Sequence, residues 1–118
     1  MSRKVSITES TIKGPYNILD LPEGQSVEFI AVGYEIGEAE RAISELGRVT
    51  KRKGPIMRVY ADLRTPVMGA PYIDILAGRT IALLDSIFKT TGLPIKLKLT
   101  AVGVEPSKYY SVEYEVLK

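Results

Sequence analysis

The sequence contains no cysteine, no histidine and no tryptophan. Without cysteine the chain has neither a disulfide framework nor a thiol nucleophile. Without histidine it lacks the commonest general base and the commonest metal ligand, and zinc seldom accepts a site built from carboxylates alone. The glycine-containing stretch at residues 69–80 has neither the spacing nor the lysine of a phosphate-binding P-loop. We therefore expect a protein that is not an enzyme and that uses no metal or other cofactor.

Long apolar runs and side-chain amides are also scarce. No run approaches the roughly 18 residues that a membrane-spanning helix requires, and residues 1–10 lack the apolar segment of a signal peptide. These absences predict a cytoplasmic protein with no membrane partner. Asn17 and Gln25 are the only side-chain amides. Depletion of Asn, Gln and Cys alongside ample charged residues is typical of thermophiles, so we expect a thermophilic source.

Positive charge is concentrated in one stretch of the chain. The 118 residues are of single-domain length, and their net charge is only +2. Residues 41–64 nevertheless hold seven basic residues against two acids, a local charge of +5. The run "KRK" at residues 51–53 is open to two interpretations. It is a solvated turn that keeps a strand edge soluble, or it contacts an anionic partner.

The order of predicted elements is strand, strand, strand, helix, strand, strand, after a lead-in of residues 1–25. Stretches rich in β-branched and aromatic residues predict strands at residues 26–36, 56–63, 71–77, 95–104 and 109–117, with a short one near residues 4–8. Gly33 would permit a bend or bulge in the first of the main strands. The 3.6-residue period of residues 79–92 predicts a helix that Thr80 caps and that Gly92 and Pro94 end.

Residues 37–46 interrupt the series of predicted strands. Ala39, Ala42, Ile43 and Leu46 would share one side of a helix. We therefore expect one or two helical turns there, or a long loop insertion, between the first two main strands.

The last two strands predict a hairpin in a definite register. A four-residue loop at residues 105–108 pairs Val104 with Tyr109. Leu99 then lies opposite Tyr114 on an apolar face, and Lys98 lies opposite Glu115 on a charged face. A slip of one residue would destroy both patterns.

This order of elements over residues 26–117 resembles the OB-fold, a five-stranded Greek-key barrel. The stretches that carry the resemblance are "SVEFIAVGYEI", "IMRVYADL", "YIDILA", "RTIALLDSIFKTTG", "IKLKLTAVGV" and "YYSVEYEVL". The pattern is similar to the single-stranded nucleic-acid-binding branch of that fold, which includes small archaeal, phage and viral proteins. It implies an OB-like domain at residues 26–118 on which the lead-in packs. The implied function is largely sequence-independent binding of single-stranded nucleic acid, with DNA favoured. A protein-interaction or assembly subunit remains the alternative, and a homodimer is left open.

The resemblance also implies where the nucleic acid would bind. The usual surface is the outer face of the second and third main strands, which here carries Ile56 and Asp74 among other side chains, and two loops flank it. Tyrosines on such a surface stack on bases, and cations neutralise phosphates. Carried over to this sequence, the candidate residues are Arg48, Lys51, Arg52, Lys53, Arg58, Tyr60, Tyr72, Lys108 and Tyr109. An ordinary solvated strand face is the alternative for Arg58 and Tyr60.

Overall fold

The computed structural model describes residues 4–104 and 107–117, which are mostly β with one helix. The elements are β1 (Lys4–Ser10), β2 (Ser26–Glu45), β3 (Arg48–Ala61), β4 (Tyr72–Ile75), α1 (Gly78–Thr91), β5 (Ile95–Val102) and β6 (Tyr109–Val116). The strands form one antiparallel sheet in the order β4-β3-β2-β5-β6, and β1 pairs with the distal half of β2. The predicted β-rich class is confirmed.

The connectivity is that of a Greek key. β2, β3 and β4 are consecutive neighbours, and β5 returns through α1 to lie beside β2. This return beside the first strand defines the motif. Within the described ranges no ladder joins β4 to β6, so the sheet is open where a closed barrel would have its seam.

A non-helical segment at residues 11–25, which we call the strap, crosses this opening. Its backbone reaches the β4 side, where the amide of Leu19 donates to the carbonyl of Asp74 at 2.8 Å. It also reaches the β6 side, where the amide of Leu21 donates to the Tyr110 hydroxyl at 3.1 Å. Leu19 and Leu21 are both buried in the main core. The strap therefore fills the gap between the two edge strands.

Helix α1 packs on the same main core as Leu19 and Leu21 of the strap. Its buried stripe consists of Thr80, Ile81, Leu84 and Phe88. The helix ends at Thr91, and Gly92 follows with a φ of 75°, as the sequence predicted. The prediction that Thr80 caps the helix is wrong, because Ala77 occupies the N-cap position and Thr80 is buried within the first turn. No helix in the described part of the chain is both long and apolar enough to span a bilayer.

β2 and β3 continue beyond the core as a long hairpin. Their ladder extends to the pair Glu45 and Arg48, and Leu46 and Gly47 connect the two strands. Among the described strands, residues 39–54 pair only with one another and with β1, and we call this three-stranded extension the arm. At about 3.3 Å per residue a strand of 14 residues such as β3 is about 46 Å long. The longest dimension of the molecule is 49 Å, so the hairpin accounts for its elongation.

The predicted helix or loop insertion at residues 37–46 is wrong, because residues 37–45 continue β2 and Leu46 begins the turn to β3. Ala39 and Ile43 are four residues apart and share a face in a helix and in a strand alike. Their spacing therefore did not distinguish the two. Ala42, grouped with them in the helical interpretation, lies on the opposite face of the strand. The predicted irregularity at Gly33 is confirmed, since the β2–β3 register shifts between Ala31 and Gly33.

The predicted β5–β6 register is wrong by two residues. Lys98 lies opposite Glu113, and Leu99 lies opposite Val112. A two-residue shift leaves every side chain on its original face and keeps Lys98 opposite a glutamate, so the sequence pattern fits both registers equally well. The connection spans residues 103–108 instead of 105–108, and residues 105 and 106 of the predicted loop lie outside the described ranges.

A cysteine pair can test this register because the chain has no cysteine of its own. Lys98→Cys with Glu113→Cys should form a disulfide on mild oxidation, because directly opposite residues have Cβ atoms about 4.5–5.5 Å apart, close to disulfide distance. Lys98→Cys with Glu115→Cys should keep free thiols. Thiol titration and non-reducing mass spectrometry of the monomer measure both. A crosslink in the second pair alone would contradict the observed register.

Candidate nucleic-acid interface

The structure does not bring the sequence-predicted site residues onto one surface. They fall into an arm group, a central group on β3 and β4, and a group at the start of β6. The arm group is Arg48, Lys51, Arg52 and Lys53, and the central group is Arg58, Tyr60 and Tyr72. The group at the start of β6 is Lys108 and Tyr109. β2 starts with Ser26 opposite Thr100 of β5 and ends at the arm tip. Because β6 begins beside that starting end, Lys108 and Tyr109 lie at the opposite end of the molecule from the tip.

Arg58 is a buried structural residue in this fold. The residue is 8% exposed and Asp74 is fully buried. The guanidinium Nε and Nη2 donate to the two carboxylate oxygens of Asp74 at 2.8 and 3.1 Å, and this hydrogen bonding raises the pKa of Arg58. Nη1 donates to the carbonyl of Lys13 and Nη2 to that of Pro15, at 2.8 and 3.3 Å. These contacts account for each guanidinium nitrogen.

The strap covers the strand face that the resemblance implied to be open. Ile56 is fully buried there together with Arg58 and Asp74. The side-chain amide of Asn17 donates to the carbonyls of Val67 and Tyr72 at 3.0 and 2.9 Å. Its backbone amide donates to the Asp74 carboxylate at 2.9 Å. The strap is thus pinned to β4 and to the loop that precedes it.

The central tyrosines are only partly accessible for stacking. Tyr72 donates its hydroxyl to the carbonyl of Pro15, and the Arg58 guanidinium carbon lies 4.0 Å from its ring centroid, which occupies one ring face. Tyr60 donates its hydroxyl to a carboxylate oxygen of Glu35 at 2.7 Å. This hydrogen bond is the main cause of the raised pKa of Tyr60. Tyr60 is half-buried and packs edge-to-face against Tyr72, with centroids 6.3 Å apart.

Lys108 and Tyr109 are engaged with other parts of the fold. The Lys108 ammonium contacts the Asp20 carboxylate at 2.9 Å, and only 11% of its side chain is exposed. Burial opposes its charge, but the hydrogen bond to Asp20 and the nearby Tyr110 raise the pKa of Lys108 above its ordinary value. Tyr109 has the Arg79 guanidinium carbon 5.2 Å from its ring centroid. The Lys108–Asp20 contact ties the strap to the start of β6.

The arm carries the exposed cations and sorts them onto two faces. Successive side chains of a strand alternate between faces, so Lys51 and Lys53 share one face, which we call the lysine face. Glu40 lies directly opposite Lys53, and its carboxylate is 4.0 Å from the Lys51 ammonium. Glu38 follows on the same face of β2. Charge on the lysine face is therefore compensated within the arm.

The opposite face of the arm, the arginine face, holds Arg41, Arg48 and Arg52. Arg41 lies directly opposite Arg52 in the ladder, a placement of like charges that destabilises a sheet. The Arg41 guanidinium donates to the carbonyls of Leu76 and Pro55 at 3.1 and 3.0 Å. It lies over Gly54, where any Cβ would collide with it. Arg41 is thus held along the arm by backbone carbonyls.

Arg48 and Arg52 project into solvent from this face. Among the residues whose side chains the structure describes, no carboxylate lies within 4.0 Å of either guanidinium. Arg48 and Arg52 are therefore exposed cations without a contact to a described acid. The sequence pattern did not reveal the division into faces or the contribution of Arg41, because it placed these residues in a helix and a loop. The sequence feature that could have revealed the two faces is the two-residue turn at Leu46 and Gly47. This turn fixes the pairing register of the hairpin once residues 37–45 are interpreted as a strand.

The buried ion pair should be sensitive to the removal of one charge. Asp74→Asn should destabilise the protein by about 3–5 kcal/mol, because it leaves the Arg58 guanidinium buried without a counter-charge. Asp62→Asn makes the same chemical change at the surface pair with Arg64 and should leave the unfolding midpoint almost unchanged, because water screens that pair. Denaturant titration monitored by circular dichroism compares the two variants. Equal stabilities would contradict a structural role for Arg58 and Asp74.

Neither the described residues' metal-binding groups nor a comparison with known proteins indicates a function for this chain. In the described ranges no group of three or more carboxylates is arranged to hold a metal ion. The chain matches no protein-family model, no curated protein and no solved structure.

Proposed function

We propose that the protein binds single-stranded nucleic acid through the arginine face of the arm, without catalysing a reaction. The observation that carries the proposal is the exposure of Arg48 and Arg52 beside Arg41, with no described carboxylate in contact with Arg48 or Arg52. Arginine presents a planar fork of donors that matches phosphate oxygens. Phosphates would supply counter-charges to Arg48 and Arg52, and the resulting affinity would be largely independent of base sequence.

A polynucleotide backbone with successive phosphates fits the arginine face better than a single small anion does. Arg48 and Arg52 are four residues apart in an extended strand, a separation of about 13 Å. One small anion cannot bridge that distance, whereas successive phosphates of a polynucleotide follow the arm. Apolar side chains are also exposed close to these cations, at Leu46 and Val49. Unpaired bases expose apolar faces to such groups, whereas a duplex keeps its base faces stacked inside, and this difference favours single strands.

The Greek-key strand order supports the resemblance to OB-fold proteins that bind single-stranded nucleic acid, with DNA as the favoured ligand. In this proposal the arm replaces the covered face of β3 and β4 as the main contact surface. Arg58, Tyr72 and Lys108 then serve the fold rather than the ligand. Tyr60 keeps a partly exposed ring and remains a candidate for base stacking.

A protein-interaction subunit is the second candidate, and the edge strand β6 favours it. β6 pairs only with β5 among the described strands, and Tyr114 and Val116 are exposed on its inner face. A free edge with exposed apolar side chains can accept a strand from another chain. A stable oligomer that binds no oligonucleotide would support this second candidate.

Two double variants separate the faces of the arm. Arg48→Ala with Arg52→Ala should weaken binding to fluorescein-labelled oligo-dT. The slope of log K against log salt should become shallower by about 0.7 for each phosphate that the protein no longer neutralises. Lys51→Ala with Lys53→Ala removes the same charge from the lysine face of the same hairpin. It should keep most of the affinity and the original slope. Fluorescence anisotropy titrations at several salt concentrations measure both quantities.

Thermal melts should show both double variants to be as stable as the parent, because all four side chains are exposed. An equal decrease of affinity in the two variants would mean that net charge alone attracts the ligand and that the arginine face has no special role. A parent protein without affinity for oligo-dT would contradict the proposed function.

A further inference from the structure

The tip of the arm carries an exposed leucine, Leu46, that neither the turn nor the core requires. Leu46 is the first of the two residues that connect β2 and β3, and its φ of 54° lies in the left-handed region. Asparagine, aspartate and glycine are the residues usually found at this position of a two-residue hairpin turn, and leucine is disfavoured there. The side chain is also 72% exposed. Leu46 therefore adopts a strained backbone conformation and gains no burial in return.

The residues around Leu46 indicate which kind of ligand its side chain would contact. Gly47 follows it and adds no side chain beside the leucine at the end of the arm. Arg48 comes next on the arginine face, and Val49 is exposed on the other face. An apolar group at the tip of a cationic arm matches a ligand with apolar surfaces between regularly spaced negative charges.

We propose that Leu46 inserts between adjacent bases of the bound strand while Arg48 and Arg52 hold the phosphates beside it. This inference rests on the proposed function. Leucine is among the apolar side chains that proteins insert between bases to unstack them. Insertion would bury the leucine and separate two stacked bases at a cost that the arginine–phosphate contacts help to offset.

A lipid surface is the competing partner, since its headgroups also carry phosphates. Membrane binding strength scales with the apolar area that enters the bilayer. Here the exposed apolar residues next to the turn are Leu46 and Val49, which Gly47 and Arg48 separate. A base step needs only one inserted side chain, and the arm tip offers one. The geometry therefore favours nucleic acid.

The variant Leu46→Asn tests the insertion without harming the turn. Asn-Gly is the preferred sequence for this kind of turn, so the melting temperature should stay the same or rise. The probe is a single-stranded oligonucleotide with one 2-aminopurine flanked by adenines, whose fluorescence rises when its neighbours unstack. The parent protein should raise this fluorescence on binding, and Leu46→Asn should abolish most of the rise. Its affinity should fall about fivefold or more, because the complex loses the burial of an apolar side chain, with an unchanged salt slope.

Leu63→Asn provides the matched control, because Leu63 is an 85% exposed leucine just after β3, away from the arm. It should bind and raise the fluorescence as the parent does. Leu46→Met, which keeps an apolar side chain at the tip, should restore most of the fluorescence change.

The outcomes that would overturn each proposal are distinguishable. If Leu46→Asn matches the parent in affinity and fluorescence while the arginine double variant binds weakly, the insertion is wrong and the proposed function stands. If the parent binds no oligonucleotide, both proposals fail. If the parent instead binds anionic phosphatidylserine vesicles and Leu46→Asn does not, the tip belongs to a lipid surface and the insertion is overturned.

Discussion

The ion pair between Arg58 and Asp74 constrains the rest of the structure. Removing both charges from water is costly, and their attraction offsets that cost only when the remaining donors and acceptors are also satisfied. β3 and β4 supply the two side chains, but two further guanidinium contacts go to the strap carbonyls of Lys13 and Pro15. Asn17 then completes the hydrogen bonding of the carboxylate. The strap must therefore follow this path for the pair to be stable when buried.

The path of the strap decides which surfaces stay open. By lying over β3 and β4 it removes Ile56, Arg58 and most of Tyr72 from contact with a large ligand. By continuing to Tyr110 it spans the gap between β4 and β6 and completes the core with Leu19 and Leu21. α1 and the strap thereby cover the main core together. The arm lies beyond both covers and keeps its cations exposed.

The alternation of side chains along the arm gives it two chemically different faces. Neighbours in the sequence "RVTKRK" point in opposite directions, so one continuous basic run becomes an arginine row and a lysine row. The lysines lie beside Glu40, as in an ordinary stable sheet. The arginines lie beside Arg41, which the sheet tolerates because backbone carbonyls and Gly54 accommodate the Arg41 side chain. Arg48 and Arg52 make no contact with a described carboxylate and stay exposed to solvent.

Local patterns in the sequence determined the β-rich class, the end of α1 at Gly92 and the irregularity at Gly33, because each depends on the conformational preferences of neighbouring residues. Only the tertiary structure decided between helix and strand at residues 37–46, where a spacing of four fits both periods until β1 and β3 pair with the segment. It also decided the β5–β6 register, since a two-residue shift preserves every face. The burial of Arg58 depends on a strap more than 40 residues away in the chain. No local pattern contains that information, because burial results from which distant segment packs over a residue.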